Sequence, residues 1–181
     1  MIYLYLANGF EEIEALATVD ILRRCNFSVT LVGVGSQDVV GAHDIPVLAD
    51  TIDSMAVPSN EIEAVILPGG MPGTLNLEKS KYVLSMLDFC RDNNKFICAI
   101  CAAPSILGHN GLLKGKKATC FPGFENELTG ATYVDAPAVT DGNIITGKGA
   151  GAAFDFSFAI AKALGKGAKA DKVKDSMQCA K

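Results

Sequence analysis

No stretch of the chain is rich in lysine and arginine. The 16 basic residues are mixed with 20 acidic ones, for a net charge of −4. A nucleic-acid surface needs clustered cations, so nucleic acid is not an expected partner. No apolar run approaches the roughly 20 residues that a membrane helix requires, so no membrane role is expected. The start, MIYLYLANGFEEIEA, has no positive segment ahead of its apolar run and turns acidic at once. That pattern does not suit a secretory leader, and the cytoplasm is the expected compartment. The six cysteines, at 25, 90, 98, 101, 120 and 179, form no CxxC…CxxC pair and no Cys/His grouping. Free thiols are therefore expected rather than a disulfide framework or a structural zinc site. A P-loop is missing too, and the glycines of GKGAGAAFDF have the wrong spacing for a dinucleotide fingerprint. No metal and no cofactor is expected.

What is present is an apolar, 181-residue chain (49% hydrophobic), enough for one globular α/β domain over residues 1–181. MIYLYLA reads as a buried strand ending at Asn8-Gly9. EEIEALATVDILRRC reads as a helix with acids first and arginines last, its apolar face carried by Ile13, Leu16, Ala17 and Leu22. FSVTLVGVG is a second strand, and DVVGAHDIPVLAD a hairpin excursion. EAVILPGG is a core strand stopped by Pro68, Gly69 and Gly70, followed by the amphipathic helix SKYVLSMLDFCRDN. KFICAI is another core strand, with the short helix APSILGHNG after it. KKATCF and NIITG supply more strands, and AAFDFSFAIAKALG and KADKVKDSMQ the closing helices. Strands alternating with helices predict a mostly parallel sheet covered on both faces. Ligand sites in such sheets lie beyond the carboxyl ends of the strands. Here those ends are residues 8–14, 69–72 and 101–104.

At the third of these, only Cys101 and Ala102 separate strand from helix. So tight a joint displays its residue above the sheet, as the serine of a G-x-S-x-G elbow is displayed. Proximity to a helix N-terminus predicts a lowered Cys101 pKa and a reactive thiolate. The plainer reading is a small core residue. Cys98, bracketed by Phe96 and Ile97, is expected to be buried and inert. A thioredoxin-type CxxC places its first cysteine at the helix start, whereas here it falls inside the strand.

These segments together, AICAAP after an apolar strand, LPGG about thirty residues earlier and GFEEIEA after the first strand, resemble the ThiJ/PfpI superfamily. Within it the chain is similar to the branch of the parkinsonism-associated deglycase and its bacterial relatives. VDILRRC and GKGAGAAFDF extend the resemblance along the whole length. It implies a flavodoxin-like three-layer sandwich, with helices on both faces of the sheet, and a homodimer. It places the nucleophile or oxidation site at Cys101 and a proton-donating glutamate at Glu14. Glu11, Glu12 and Glu14 otherwise read as solvated acids. The resemblance puts backbone oxyanion donors at Gly70 and Ala102, with Gly69 beside them. Around this centre, Phe121, Cys120, Arg24 and His43 are candidate binding residues. His43 or Arg24 would serve an anion at a subunit interface, and Cys120 would be either a second thiol near the site or a buried strand cysteine.

The implied activity is cofactor-independent glyoxalase or deglycase chemistry on methylglyoxal, glyoxal or their early side-chain adducts. A sensor or chaperone-like protein whose cysteine oxidises to a sulfinate is the alternative. A dithiol oxidoreductase through Cys98 and Cys101 is a weaker third. Peptidase-like members place histidine directly after the nucleophile, but this chain has Ala102 there, so it is not expected to be a peptidase. His109, at the end of the helix after the elbow, is expected to be a helix-end residue rather than a base.

Overall fold

The computed structural model describes residues 1–179. The first apolar run becomes β1 (Ile2–Leu6), all five residues buried. It lies inside a seven-stranded sheet together with β2 (Val29–Gly33), β5 (Thr51–Ile52), β6 (Ala64–Leu67), β7 (Phe96–Ile100), β10 (Ala138–Asp141) and β11 (Ile144–Gly147), in the order β10-β11-β7-β6-β1-β2-β5. Every neighbouring pair is parallel except β10 with β11. Alternation divides each central strand between two cores. Ile2, Leu4 and Leu6 enter one apolar layer, Tyr3 and Tyr5 the other. Each large side chain fully buried this way contributes about 1.5–3 kcal/mol.

Helices α1 (Glu12–Arg24), α5 (Ala153–Ala161) and α6 (Gly167–Ser176) cover the first layer. Helices α2 (Gly73–Lys79), α3 (Lys81–Asp92) and α4 (Pro104–His109) cover the second. This is the flavodoxin-like α/β sandwich. The hairpin is also present: β3 (Asp38–Val40) pairs antiparallel with β4 (Pro46–Leu48), apart from the main sheet.

Two local expectations are corrected. The inward stripe of α1 is Ala15, Thr18, Val19 and Leu22, while Ile13 and Leu16 face solvent at 56% and 37% exposure. The α1–α5 packing sets this choice, through the Ser157 hydroxyl donating to Thr18 Oγ1 at 3.0 Å. KKATCF yields only β8 (Lys117–Ala118), which pairs with β9 (Thr132–Tyr133) outside the main sheet. Residues beyond it turn instead toward the elbow. The edge strands β5 and β10 were not anticipated.

Candidate active site

Strand β7 and helix α4 are separated by three residues, and Cys101 makes the turn with a left-handed backbone, φ +66°. Such a conformation costs a non-glycine residue about 1–3 kcal/mol and persists only where its surroundings enforce it. Here the Cys101 N–H donates to the Gly147 carbonyl at 2.9 Å, and its carbonyl accepts the Phe121 N–H at 2.8 Å. The Ala103 N–H closes back on the Ile100 carbonyl at 3.1 Å. The elbow expected from the short strand-to-helix joint is formed, and its side chain is half-buried.

Glu14 lies in the first turn of α1 and is 1% exposed. Its Oε2 accepts the Gly69 N–H at 2.7 Å. Its other oxygen, Oε1, is buried with no hydrogen-bond partner, and the Cys101 thiol stands close enough to act on the carboxyl. Gly69 separates the two: a Cβ there would come within 2.6 Å of the Cys101 Cβ and 2.8 Å of Glu14 Oε2. Gly70 adopts φ +89°, and a Cβ on it would strike the backbone of Gly9, Phe10 and Glu11. The start of α1 is tied to the same turn by the Glu11 N–H, which donates to the Gly69 carbonyl at 2.9 Å. The amides of Ala102 and Gly70 lie near enough to the Cys101 sulfur to favour its thiolate.

The electrostatics follow from this burial. Desolvation raises the Glu14 carboxyl to about 7, against the opposing hydrogen bonds of Gly69 and Cys101. The Cys101 thiol is not lowered as its position before α4 suggests. Burial first, then the Glu14 carboxylate, push it up to about 12, and the Ala102 and Gly70 amides only partly offset this. Thiol and carboxyl titrate as a pair, whose first proton leaves near pH 7. The negative charge then sits on the Glu14 carboxylate, beside a thiol that keeps its proton. Protonated at the carboxyl, Glu14 becomes a hydrogen-bond donor to sulfur or to a bound oxygen.

The remaining candidates divide. Phe121 is held to the elbow by its N–H, and its ring is 47% exposed. Cys120 is fully buried in the core layer on the other side of the sheet, its thiol pushed up to about 11 by burial. It therefore offers no second thiol to the site. Arg24, at the far end of α1, pairs with Asp20 at 2.8 Å on the surface. Ten residues of helix separate it from Glu14, about 15 Å at 1.5 Å per residue. His43 contacts carboxylates rather than an anion site. Its Nδ1 lies 2.8 Å from Glu12 Oε2 and 3.6 Å from Glu11 Oε2, which raises its pKa.

Neither Glu11 nor Glu12 is the freely solvated acid expected. Glu12 is 4% exposed, and its Oε1 also accepts the His43 N–H at 2.8 Å, clamping the hairpin to the start of α1. The oxygens of Glu11 and Glu12 and the His43 nitrogen lie within 4.8 Å of one another. Cys98 is fully buried, its thiol raised by desolvation. His109 is the last residue of α4, held between Glu78 at 2.6 Å and Glu127 at 2.8 Å. Sequence reasoning missed the role of Gly147, whose carbonyl anchors the elbow, and the buried clamp at Glu12. The glycine-rich GKGAG segment was the available signal for the first.

Among known proteins, the chain is 37% identical over 172 residues to Protein dj-1beta of Drosophila melanogaster, covering 93% of this chain and 91% of that one. The crystal structure of Drosophila DJ-1beta superposes with a TM-score of 0.94 at 34% identity, covering 99% and 98% of the two chains. A Caenorhabditis elegans protein described as the glutathione-independent glyoxalase DJR-1.2 is 30% identical over 156 residues, covering 85% of this chain and 82% of that one. Protein DJ-1 homolog B of Arabidopsis thaliana is 36% identical over 157 residues, 86% of this chain, which spans only 36% of that longer protein. The model of the DJ-1/PfpI family matches residues 1–163, from β1 into the helical C-terminal region. With the elbow, the sheet order and the match along nine-tenths of its length all agreeing, the chain belongs to the DJ-1/PfpI family.

Proposed function

We propose that the protein is a cofactor-independent glyoxalase or deglycase that uses Cys101 on α-oxoaldehydes such as methylglyoxal and glyoxal, or on their early adducts. The observation that carries this reading is the Cys101–Glu14 pair: a thiol on a strained turn beside a buried carboxyl whose pKa stands at about 7. A proton shuttle works best when its pKa lies near the operating pH. No histidine competes for the role, since His43 and His109 are both engaged by glutamates elsewhere. The relative described as a glutathione-independent glyoxalase supports the same reading.

In the proposed reaction the Cys101 sulfur adds to the aldehyde carbon of methylglyoxal. The carbonyl electron pair moves to oxygen, which takes the thiol proton and leaves a hemithioacetal. Glu14, as carboxylate, removes the hydrogen on that carbon, and the electrons pass through an enediol whose oxygen is held by the Gly70 and Ala102 amides. Glu14 returns the proton to the neighbouring carbon, giving a lactoyl thioester. Water then releases lactate and restores the thiol. One carbon is oxidised as its neighbour is reduced, so the overall reaction consumes only water and needs no external oxidant.

Cys101→Ser is expected to abolish methylglyoxal consumption, and retention of full activity would refute the mechanism. The Ala102 and Gly70 amides also favour the oxidation-sensor reading, because they could hold the oxygens of a Cys101 sulfinate. Mass spectrometry after mild peroxide tests this: two oxygens confined to Cys101 support it, and oxidation spread over the six cysteines opposes it. The complete burial of Cys98 gives no support to a dithiol couple. We further propose a homodimer formed through the exposed Ile13 and Leu16 of α1 and Ile45 and Leu48 of the hairpin, which Glu12 ties together.

A further inference from the structure

A cavity of about 390 Å³ is walled by Phe121, Pro122, Pro137 and residues 149–152. Its two main walls start from the peptide groups that fix the elbow. Phe121 gives its N–H to the Cys101 carbonyl, and Gly147, which accepts the Cys101 N–H, leads two residues later to Gly149. The walls also meet each other, for a Cβ on Gly149 would stand 3.2 Å from the Phe121 ring. The walls are apolar, and the ring of Phe121 is half-exposed with no place in either core. Two charged groups line the cavity, Lys148 and Asp155. The Lys148 ammonium is already paired with Asp135 at 2.5 Å, and Asp155 is an acid. Among the described residues an anionic substituent would find no free cation here, while an aromatic one would find a ring, two prolines and a glycine floor.

We propose that this cavity is the subsite for the substituent on the ketone carbon of the substrate, and that Phe121 makes the enzyme prefer aryl and bulky apolar α-oxoaldehydes over methylglyoxal and over anionic ones. This rests on the α-oxoaldehyde reading above and names its substrate class. A phenyl group in place of a methyl adds several carbons of apolar contact, enough for a preference of tenfold or more in kcat/KM. Phe121→Ala removes the ring wall and is expected to lower the ratio of kcat/KM for phenylglyoxal to that for methylglyoxal about tenfold. Phe121→Leu, which keeps an apolar wall, should retain part of the preference.

The test measures turnover of both aldehydes by the wild-type, Phe121→Ala and Phe121→Leu proteins. It also measures alkylation of Cys101 by phenacyl chloride and by chloroacetone, each rate divided by that of free cysteine. Alkylation reads the cavity without requiring catalysis. A normalised preference for the phenacyl reagent that is lost in Phe121→Ala supports the subsite. Equal normalised rates for the two reagents in the wild-type protein overturn it, whatever the turnover. No turnover of either aldehyde, with the phenacyl preference intact, overturns the glyoxalase reading and leaves the subsite standing.

Discussion

Replacing Glu14 with glutamine isolates the charge on which the proposed reaction depends. Glutamine keeps the shape of the side chain, and its carbonyl can still accept the Gly69 N–H now received at 2.7 Å. Glu14 titrates near 4.5 in an ordinary setting and near 7 in the folded chain. Between those values the folded state keeps a proton that the unfolded state has released. The associated stability is complete below pH 4.5 and is lost as pH rises through 7. A displacement of that size corresponds to about 3 kcal/mol, a large part of the 5–15 kcal/mol that holds a typical domain folded.

Other groups have opposite or parallel trends. Burial alone would raise Glu12, but the hydrogen bonds it accepts, first from the His43 ring and amide, together outweigh that and lower it, and its contribution grows as pH rises. His43 and His109 are raised by their glutamate partners, and their contribution fades with rising pH. None of these groups is altered by Glu14→Gln, so the difference between wild type and variant reads Glu14 with its partner Cys101. Urea denaturation from pH 4.5 to 8 is the assay. The wild-type protein should lose about 3 kcal/mol relative to the variant across that range. Curves that stay parallel would show that Glu14 has an ordinary pKa and would remove the basis for its proposed role as a proton shuttle.

Other substitutions address the surroundings of the site. Gly69→Ala forces a methyl within 2.6 Å of the Cys101 Cβ and 3.0 Å of the Ile100 carbonyl. It should cost about 1–3 kcal/mol in denaturation and sharply reduce methylglyoxal turnover, since the sulfur and carboxyl are pushed apart. Glu12→Ala deprives the His43 N–H of its acceptor, and hydrogen exchange at that amide should accelerate. Leu16→Glu, on the exposed side of α1, should shift sedimentation from dimer to monomer, and an unchanged dimer would place the interface elsewhere.

Much of this architecture was legible in the sequence because it depends on local pattern. Near-continuous apolar runs such as IYLYL and FICAI announce strands buried on both faces, and the two-residue gap before APSIL announces the elbow. Glu14 was placed by resemblance, and its burial agrees with that placement. What stayed hidden depends on distances between remote segments. The thiol of Cys101 is raised rather than lowered because a carboxylate from α1 stands beside it, a pairing 87 positions apart that no local rule contains. Glu12 looked like one more helix-start acid because its partner, His43, lies across the hairpin. Ile13 and Leu16 satisfied a helical period as well as Ala15 and Val19 did, and only the packing on α5 selects between them. Strands as short as Thr51–Ile52 have too few residues to show alternation.

The left-handed backbone at Cys101 bears on how such a protein changes over many generations. Glycine relaxes that turn, so Cys101→Gly would yield a sturdier fold that has lost its sulfur. A lineage released from the need for the thiol has a downhill path to an inert but more robust molecule. Persistence of cysteine at this position against that slope would itself be a sign of use. For the same reason, glycine and serine are not interchangeable as inactive controls, because one lifts the local tension and the other retains it.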